Sequence, residues 1–277
     1  MRIYGLDFTS APRRQKPITC AACDFDGDWL RVHAFDTFTD FTAFEAFLQR
    51  PGPWIAGFDF PFGQPAELVD DLEWGATWAA YVGRIGRMSK AQFVAAVTDY
   101  CAPRLPGNKY HYRCTDRLAG SCSPMMLYGV PVGRMFYQGA PRLLASGASV
   151  IPCCPTGSDR VAVEAYPALV ARRWIEKRSY KTDNRHKQTS ERAAARQTVV
   201  DGLCSECGDH YGFALDLTGD QSDACISDPT GDTLDAVLCA VQAAWAFIQA
   251  KYGVPPECDP LEGWIVDPAM NSPVANG

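Results

Sequence analysis

Arg2-Ile-Tyr-Gly-Leu-Asp7-Phe8 and Trp54-Ile-Ala-Gly-Phe-Asp59-Phe60-Pro61 each read as an apolar strand with one aspartate near its C-terminal end. A third stretch, Arg160-Val-Ala-Val-Glu164-Ala-Tyr-Pro167, repeats the pattern with a glutamate. Each acid stands just before a proline-containing turn. Carboxylates on core strands cost several kcal/mol to desolvate unless something compensates them. Several that converge on one point are best explained by a bound divalent cation. A fourth acidic pair, Asp232 and Asp235, opens the best amphipathic helix in the chain. Three residues apart, the two share one side of that helix, at the end where its dipole stabilises negative charge. Simple capping would explain that pair taken alone.

Around these stretches the elements fall into order. Ile18 to Phe25 and Trp29 to Phe35 flank the turn Asp26-Gly27-Asp28, which predicts an antiparallel meander with the first strand. Phe41, Phe44, Phe47 and Leu48 recur at helical spacing, and Pro51-Gly52-Pro53 closes that helix before the Trp54 strand. The opening is therefore β-β-β-α-β. From Gln64 to about Pro155 the pattern is that of an insertion, helical over Ala66 to Val82, Ser89 to Cys101 and Val132 to Ala145. Sheet sequence resumes at Ser149 to Cys153 and Val161 to Tyr166. In the last helix Leu234, Val237, Leu238, Val241, Trp245 and Ile248 line one face.

The bulk composition sets outer bounds. At 277 residues and 47% hydrophobic content, the chain can bury a full core. Asp, Arg or Lys interrupts every run that could approach the ~20 apolar residues of a membrane span. No secretory signal is evident before the first strand, so the twelve cysteines are expected to be reduced thiols in a cytoplasmic protein. The net charge of −6 hides a segregation: Arg172 to Arg196 is strongly basic, while Asp201 to Asp235 holds no Lys or Arg. That layout suits a phosphate-contacting face beside a metal site, and equally two solvated surfaces of opposite sign.

The ordered set of short motifs is similar to one known family. It comprises Gly5-Leu-Asp7-Phe, Gly57-Phe-Asp59-Phe-Pro-Phe-Gly63, Arg113-Cys-Thr-Asp116-Arg117, Glu164-Ala-Tyr-Pro167, Lys187-Gln-Thr-Ser-Glu-Arg192 with Arg196, and Asp232-Thr-Leu-Asp235-Ala236. It resembles the predicted RNase H-like nucleases of domain-of-unknown-function family four-two-nine. The resemblance implies an α/β fold, an RNase H-like mixed five-stranded sheet flanked by helices. Residues 1–63 and 150–277 would form the core and residues 64–149 a helical insertion. It implies a nuclease site at Asp7, Asp59, Glu164 and Asp235, with Asp232 as an auxiliary or alternative ligand.

Hard carboxylate oxygens suit Mg²⁺ or Mn²⁺, and two such ions about 4 Å apart would activate water and stabilise the leaving oxygen of a phosphodiester. Asp7 would bridge them. The partner would be DNA or RNA, with phosphate contacts from Arg113, Arg117, Lys187, Arg192 and Arg196 and from Thr9 and Ser10 beside Asp7. This reading requires Asp7 and Glu164 to face a common cation without permanent arginine partners.

Two other functions stay open at this level. A degenerate member of the fold would bind nucleic acid or a protein without cleaving. A kinase-like ATPase would also carry an aspartate on the first strand, although Asp7-Phe-Thr-Ser-Ala-Pro lacks the glycine of a phosphate turn. Cys204-Ser-Glu-Cys207 with His210 forms half of a zinc site that Cys153, Cys154 or Cys225 would have to complete.

Overall fold

The computed structural model describes residues 1–271, with Arg185 by its backbone alone. The expected opening forms as β1 (Arg2–Asp7), β2 (Ile18–Phe25), β3 (Trp29–Phe38), α1 (Phe41–Leu48) and β4 (Trp54–Phe58). Asp40 caps α1 by accepting from Ala43 N at 2.9 Å. The intervening segment then carries α2 (Ala66–Asp71), α3 (Trp78–Gly86), α4 (Lys90–Cys101), α5 (Cys114–Ala119) and α6 (Val132–Ser146). The single helix expected over Ala66 to Val82 is two. Glu73 and Gly75 take positive φ between them, and Thr77 caps the second by accepting from Ala80 N. The rest comprises β5 (Ser149–Ile151), β6 (Arg160–Glu164), α7 (Pro167–Ile175), α8 (Ser190–Tyr211), β7 (Ala214–Asp216), α9 (Gly219–Ser227) and α10 (Asp232–Ile248).

The fold is α/β, and its sheet has seven strands rather than five, in the order β5-β6-β4-β1-β2-β3-β7. β1, β2 and β3 form the antiparallel meander. β4 lies parallel to β1 on the other side, and β6 parallel to β4. The additional strands, β5 and β7, are three residues each and sit at the two edges.

Side-chain alternation along each strand divides the core in two. Tyr4 and Leu6 of β1 and Ala56 and Phe58 of β4 pack with α1 and the segment's helices, including Phe93 and Phe136. Ile3 and Ile55 pack instead with α7, α8 and α10. The helices of residues 64–149 thus share a hydrophobic core with the sheet. No single helix among the described residues is long and apolar enough to cross a membrane.

The placement of α10 governs the site. It lies almost on the sheet, because β1 and β4 each offer a glycine beneath it. A Cβ on Gly5 would stand 2.0 Å from Ala236 O, and one on Gly57 2.4 Å from Cys239 O. The helix answers with small residues, Ala236 and Ala240 among them, all fully buried. Gly5→Ala would force backbone apart rather than side chains. It is expected to lower stability by at least the ~1–3 kcal/mol typical of overpacking, read as a urea midpoint.

Candidate functional site

Strand parity decides which acids meet. Gly5 and Gly57 face α10, so Asp7 and Asp59, two positions further on, emerge on that same face. The parallel register pairs Leu6 with Phe58, and Asp59 N donates to Leu6 O at 3.0 Å, which brings both aspartates to one level. The first turn of α10 supplies Asp235 from above. Carboxylate oxygens of Asp7, Asp59 and Asp235 all lie within 4.8 Å of one another. Asp235 is fully buried, Asp7 is 7% exposed, and Asp59 is half-buried.

Glu164 does not join them. It pairs with Phe58, not with Asp59, and therefore points to the opposite face of the sheet. There Arg113 grips it with both ends of its guanidinium, Nη2 to Oε1 at 2.6 Å and Nη1 to Oε2 at 2.8 Å. Phe62 N adds a third bond at 2.9 Å. The same guanidinium binds Asp116 through Nη2 at 2.7 Å and Nε at 2.9 Å. All three side chains are at most 2% exposed. This buried triad ties α5 to β6, and it corrects two expectations at once: Glu164 is not free to hold a metal, and Arg113 is not free to hold a phosphate. The condition set on Glu164 by the sequence fails, so the four-carboxylate site expected there does not form, and a metal site would stand on the three aspartates alone.

Asp232 falls outside that mutual group, although its charge still acts on Asp7. Lys16 Nζ binds it at 2.8 Å while reaching Asp183 at 2.8 Å. Asp235 has both oxygens engaged, Oδ1 by the Tyr180 hydroxyl at 2.6 Å and Oδ2 by Lys181 Nζ. Asp7 and Asp59, by contrast, have no hydrogen-bond or ion-pair partner for their carboxylates among the described residues. Burial is the main cause that holds Asp7 well above the usual carboxylate range, and Asp232 and Asp235 add to it while Lys181 opposes. Burial likewise pushes Asp59 up to about 7, against the pull of Lys181. An orphaned, buried carboxylate among like charges is the condition a divalent cation relieves. Three hard oxygen donors suit Mg²⁺ or Mn²⁺.

The remaining sequence candidates divide. Arg196 is buried and spends itself on backbone, donating to Ile226 O at 2.7 Å and Tyr180 O at 2.8 Å, so it holds a loop and not a phosphate. Arg192 is half-buried and donates to Ser179 Oγ and Lys187 O. Lys187 and Arg117 are exposed, the latter over the Tyr112 ring at 5.6 Å. Thr9 and Ser10 form the half-buried turn after Asp7. Tyr180, Lys181 and Lys16 were not singled out from sequence. Their contacts with α10 span 50 or more residues, a distance no local pattern encodes.

Cys204 and Cys207 lie on α8, and among the described residues no Cys or His belongs to a group of three ligands within reach of one ion. A cavity of about 90 Å³ opens beside Asp59, between Tyr166, Cys122 and Met135. A larger groove, about 920 Å³ between Arg117 and Asn271, is lined by none of the three aspartates.

No curated protein and no solved structure matches the chain. One family model does, over residues 5–257, and that span takes in Asp7, Asp59 and Asp235 alike. The chain therefore belongs to the family described as "Protein of unknown function (DUF429)".

Proposed function

We propose that the protein is a divalent-metal-dependent nuclease with an RNase H-like core, hydrolysing a phosphodiester at Asp7, Asp59 and Asp235. The observation that carries this is Asp7: a carboxylate nine-tenths buried, without a partner among the described residues, and within 4.8 Å of two other acids. Maintaining such an arrangement for stability alone would be costly. The strands β3-β2-β1-β4-β6 also support it, since they give the mixed five-stranded sheet of that core, which β5 and β7 extend.

A divalent ion held there would supply Lewis-acid polarisation of a phosphoryl oxygen and activation of a water. The chain's own residues fix the geometry. Tyr180 holds the Asp235 carboxylate by one oxygen, α10 delivers it over β1, and the level register of β1 and β4 sets Asp7 against Asp59. Water oxygen would bond to phosphorus and release its proton as the bond to the sugar oxygen breaks and that oxygen takes up a proton.

Labelled DNA and RNA incubated with the protein in Mn²⁺, beside an Asp7→Asn variant, test the reading. Cleavage should need the metal. The variant should lose more than the ~10–100-fold that removal of an outer-sphere partner costs. Equal background in both samples removes the enzyme.

A second reading draws on the ion pairs. Glu164, Asp232 and Asp235 each already face a cation, as they would in a metal-free binding module derived from a nuclease. Nucleic-acid binding that ignores EDTA and survives Asp7→Asn would select it.

A further inference from the structure

Resting on the metal-site reading above, we infer that Lys181 is the site's permanent second cation, so that the centre takes one divalent ion and not two. Three carboxylates converge, and one ammonium already sits on Asp235. Two negative charges remain, which a single divalent ion neutralises. A second ion would leave the cluster with excess positive charge at the moment an ammonium also occupies it.

The side chains a second ion would turn to are already engaged: Lys16 binds Asp232 through Oδ1, and Arg113 takes both oxygens of Glu164. Hard, small divalent ions keep well-defined oxygen shells, and among the described residues no fourth acid joins the group whose oxygens all lie within 4.8 Å of one another.

The backbone that carries Lys181 is fixed, which keeps its ammonium within reach of Asp235. That backbone is pinned on both sides: Arg196 Nη1 binds Tyr180 O at 2.8 Å, and Thr182 N donates to Pro229 O at 3.0 Å. The Lys181 Cβ packs 2.8 Å from where a Cβ on Gly231, the residue before α10, would stand. Tyr180 and Lys181 together bracket the two oxygens of Asp235. A buried arginine, Arg196, is thus employed to hold a lysine in register with a metal ligand. With one N–H on Asp235, the ammonium keeps two donors for a phosphoryl oxygen, and its side chain, 38% exposed, can meet substrate.

Calorimetric titration of the metal-free protein with MnCl₂, together with electron paramagnetic resonance, reads the stoichiometry directly. One Mn²⁺ per chain, without the signal of a spin-coupled pair, is expected. Lys181→Met should bind Mn²⁺ at least ~10-fold tighter, because a unit positive charge a few ångströms away is gone. The same variant should cleave at least ~10-fold more slowly, and Lys181→Arg should recover part of that loss. A lysine that merely fills an empty site would give tighter binding with full activity. Two ions in the wild-type chain, or full activity in Lys181→Met, overturns the inference while leaving the nuclease standing. No bound ion at all overturns both.

Discussion

Arg113→Ala is expected to destabilise the fold by about 3–5 kcal/mol, the cost of breaking a buried ion pair by removing one partner. Its guanidinium holds two carboxylates at once, Glu164 and Asp116, in a setting that admits almost no solvent. Without it both acids are left uncompensated, and Nη1 no longer reaches Glu262 O at 2.8 Å. Against a total stability of roughly 5–15 kcal/mol, that loss threatens folding outright. Arg113→Lys should not rescue it, since a single ammonium cannot reproduce the bidentate fork. The decisive control is metal. If Glu164 belonged to the metal centre, Mn²⁺ would restore part of the lost stability; on the geometry described, urea midpoints of Arg113→Ala should gain no more from Mn²⁺ than the wild type does.

Asp7→Asn should do the opposite to the metal-free protein: stability rises and metal response disappears. Asparagine keeps the shape but removes a buried charge that has no partner among the described residues and that sits beside Asp59 and Asp235. The pH dependence carries a matching sign. Both Asp7 and Asp59 have folded pKa values raised above the ~3.9 of an unfolded aspartate, so between these values the folded state binds more protons. Their stabilising protonation is present in acid and is lost as pH rises through the folded values. Metal-free wild type should therefore lose stability as pH rises above about 4, through about 7 for the part due to Asp59, and Asp7→Asn should lose less. Adding Mn²⁺ at a hundred times its Kd should return about 2.7 kcal/mol to the wild type and nothing to the variant. Thermal melts at pH 5 and pH 8, with and without Mn²⁺, separate these outcomes.

How much of this was legible beforehand depends on whether the determining interaction is local. Apolar sequence located β1, β2, β4 and β6 to within a few residues, because each is buried almost throughout, and β3 was located with the help of the Asp26-Gly27-Asp28 turn before it. β5 lies within the sheet segment read at Ser149 to Cys153, while β7 escaped because three residues carry no period. The break between α2 and α3 rests on backbone angles at Glu73 and Gly75, and only the glycine hinted at it.

Asp7, Asp59 and Asp235 could be chosen from sequence, since the ends of neighbouring strands and the start of a helix that crosses them must meet. Glu164 was misplaced for a specific reason. Its strand looks the same as the others, but the β4–β6 register matches it with Phe58, one position off Asp59, and one position reverses the face. Register between strands a hundred residues apart is set by packing, not by either strand's composition. The same holds for Lys181, Lys16 and Arg113, whose partners lie 54, 216 and 51 residues away. The basic segment from Arg172 to Arg196 was visible as a charge run. That Arg196 in it would be buried and bound to backbone was not.

Anomalous diffraction from a crystal soaked in Mn²⁺ near pH 8 addresses the metal centre itself. A single peak about 2.1 Å from oxygens of Asp7, Asp59 and Asp235, with Lys181 still on Asp235, is the predicted density. A map with no manganese among those aspartates, at a concentration that saturates other carboxylate sites, would contradict the account at its root.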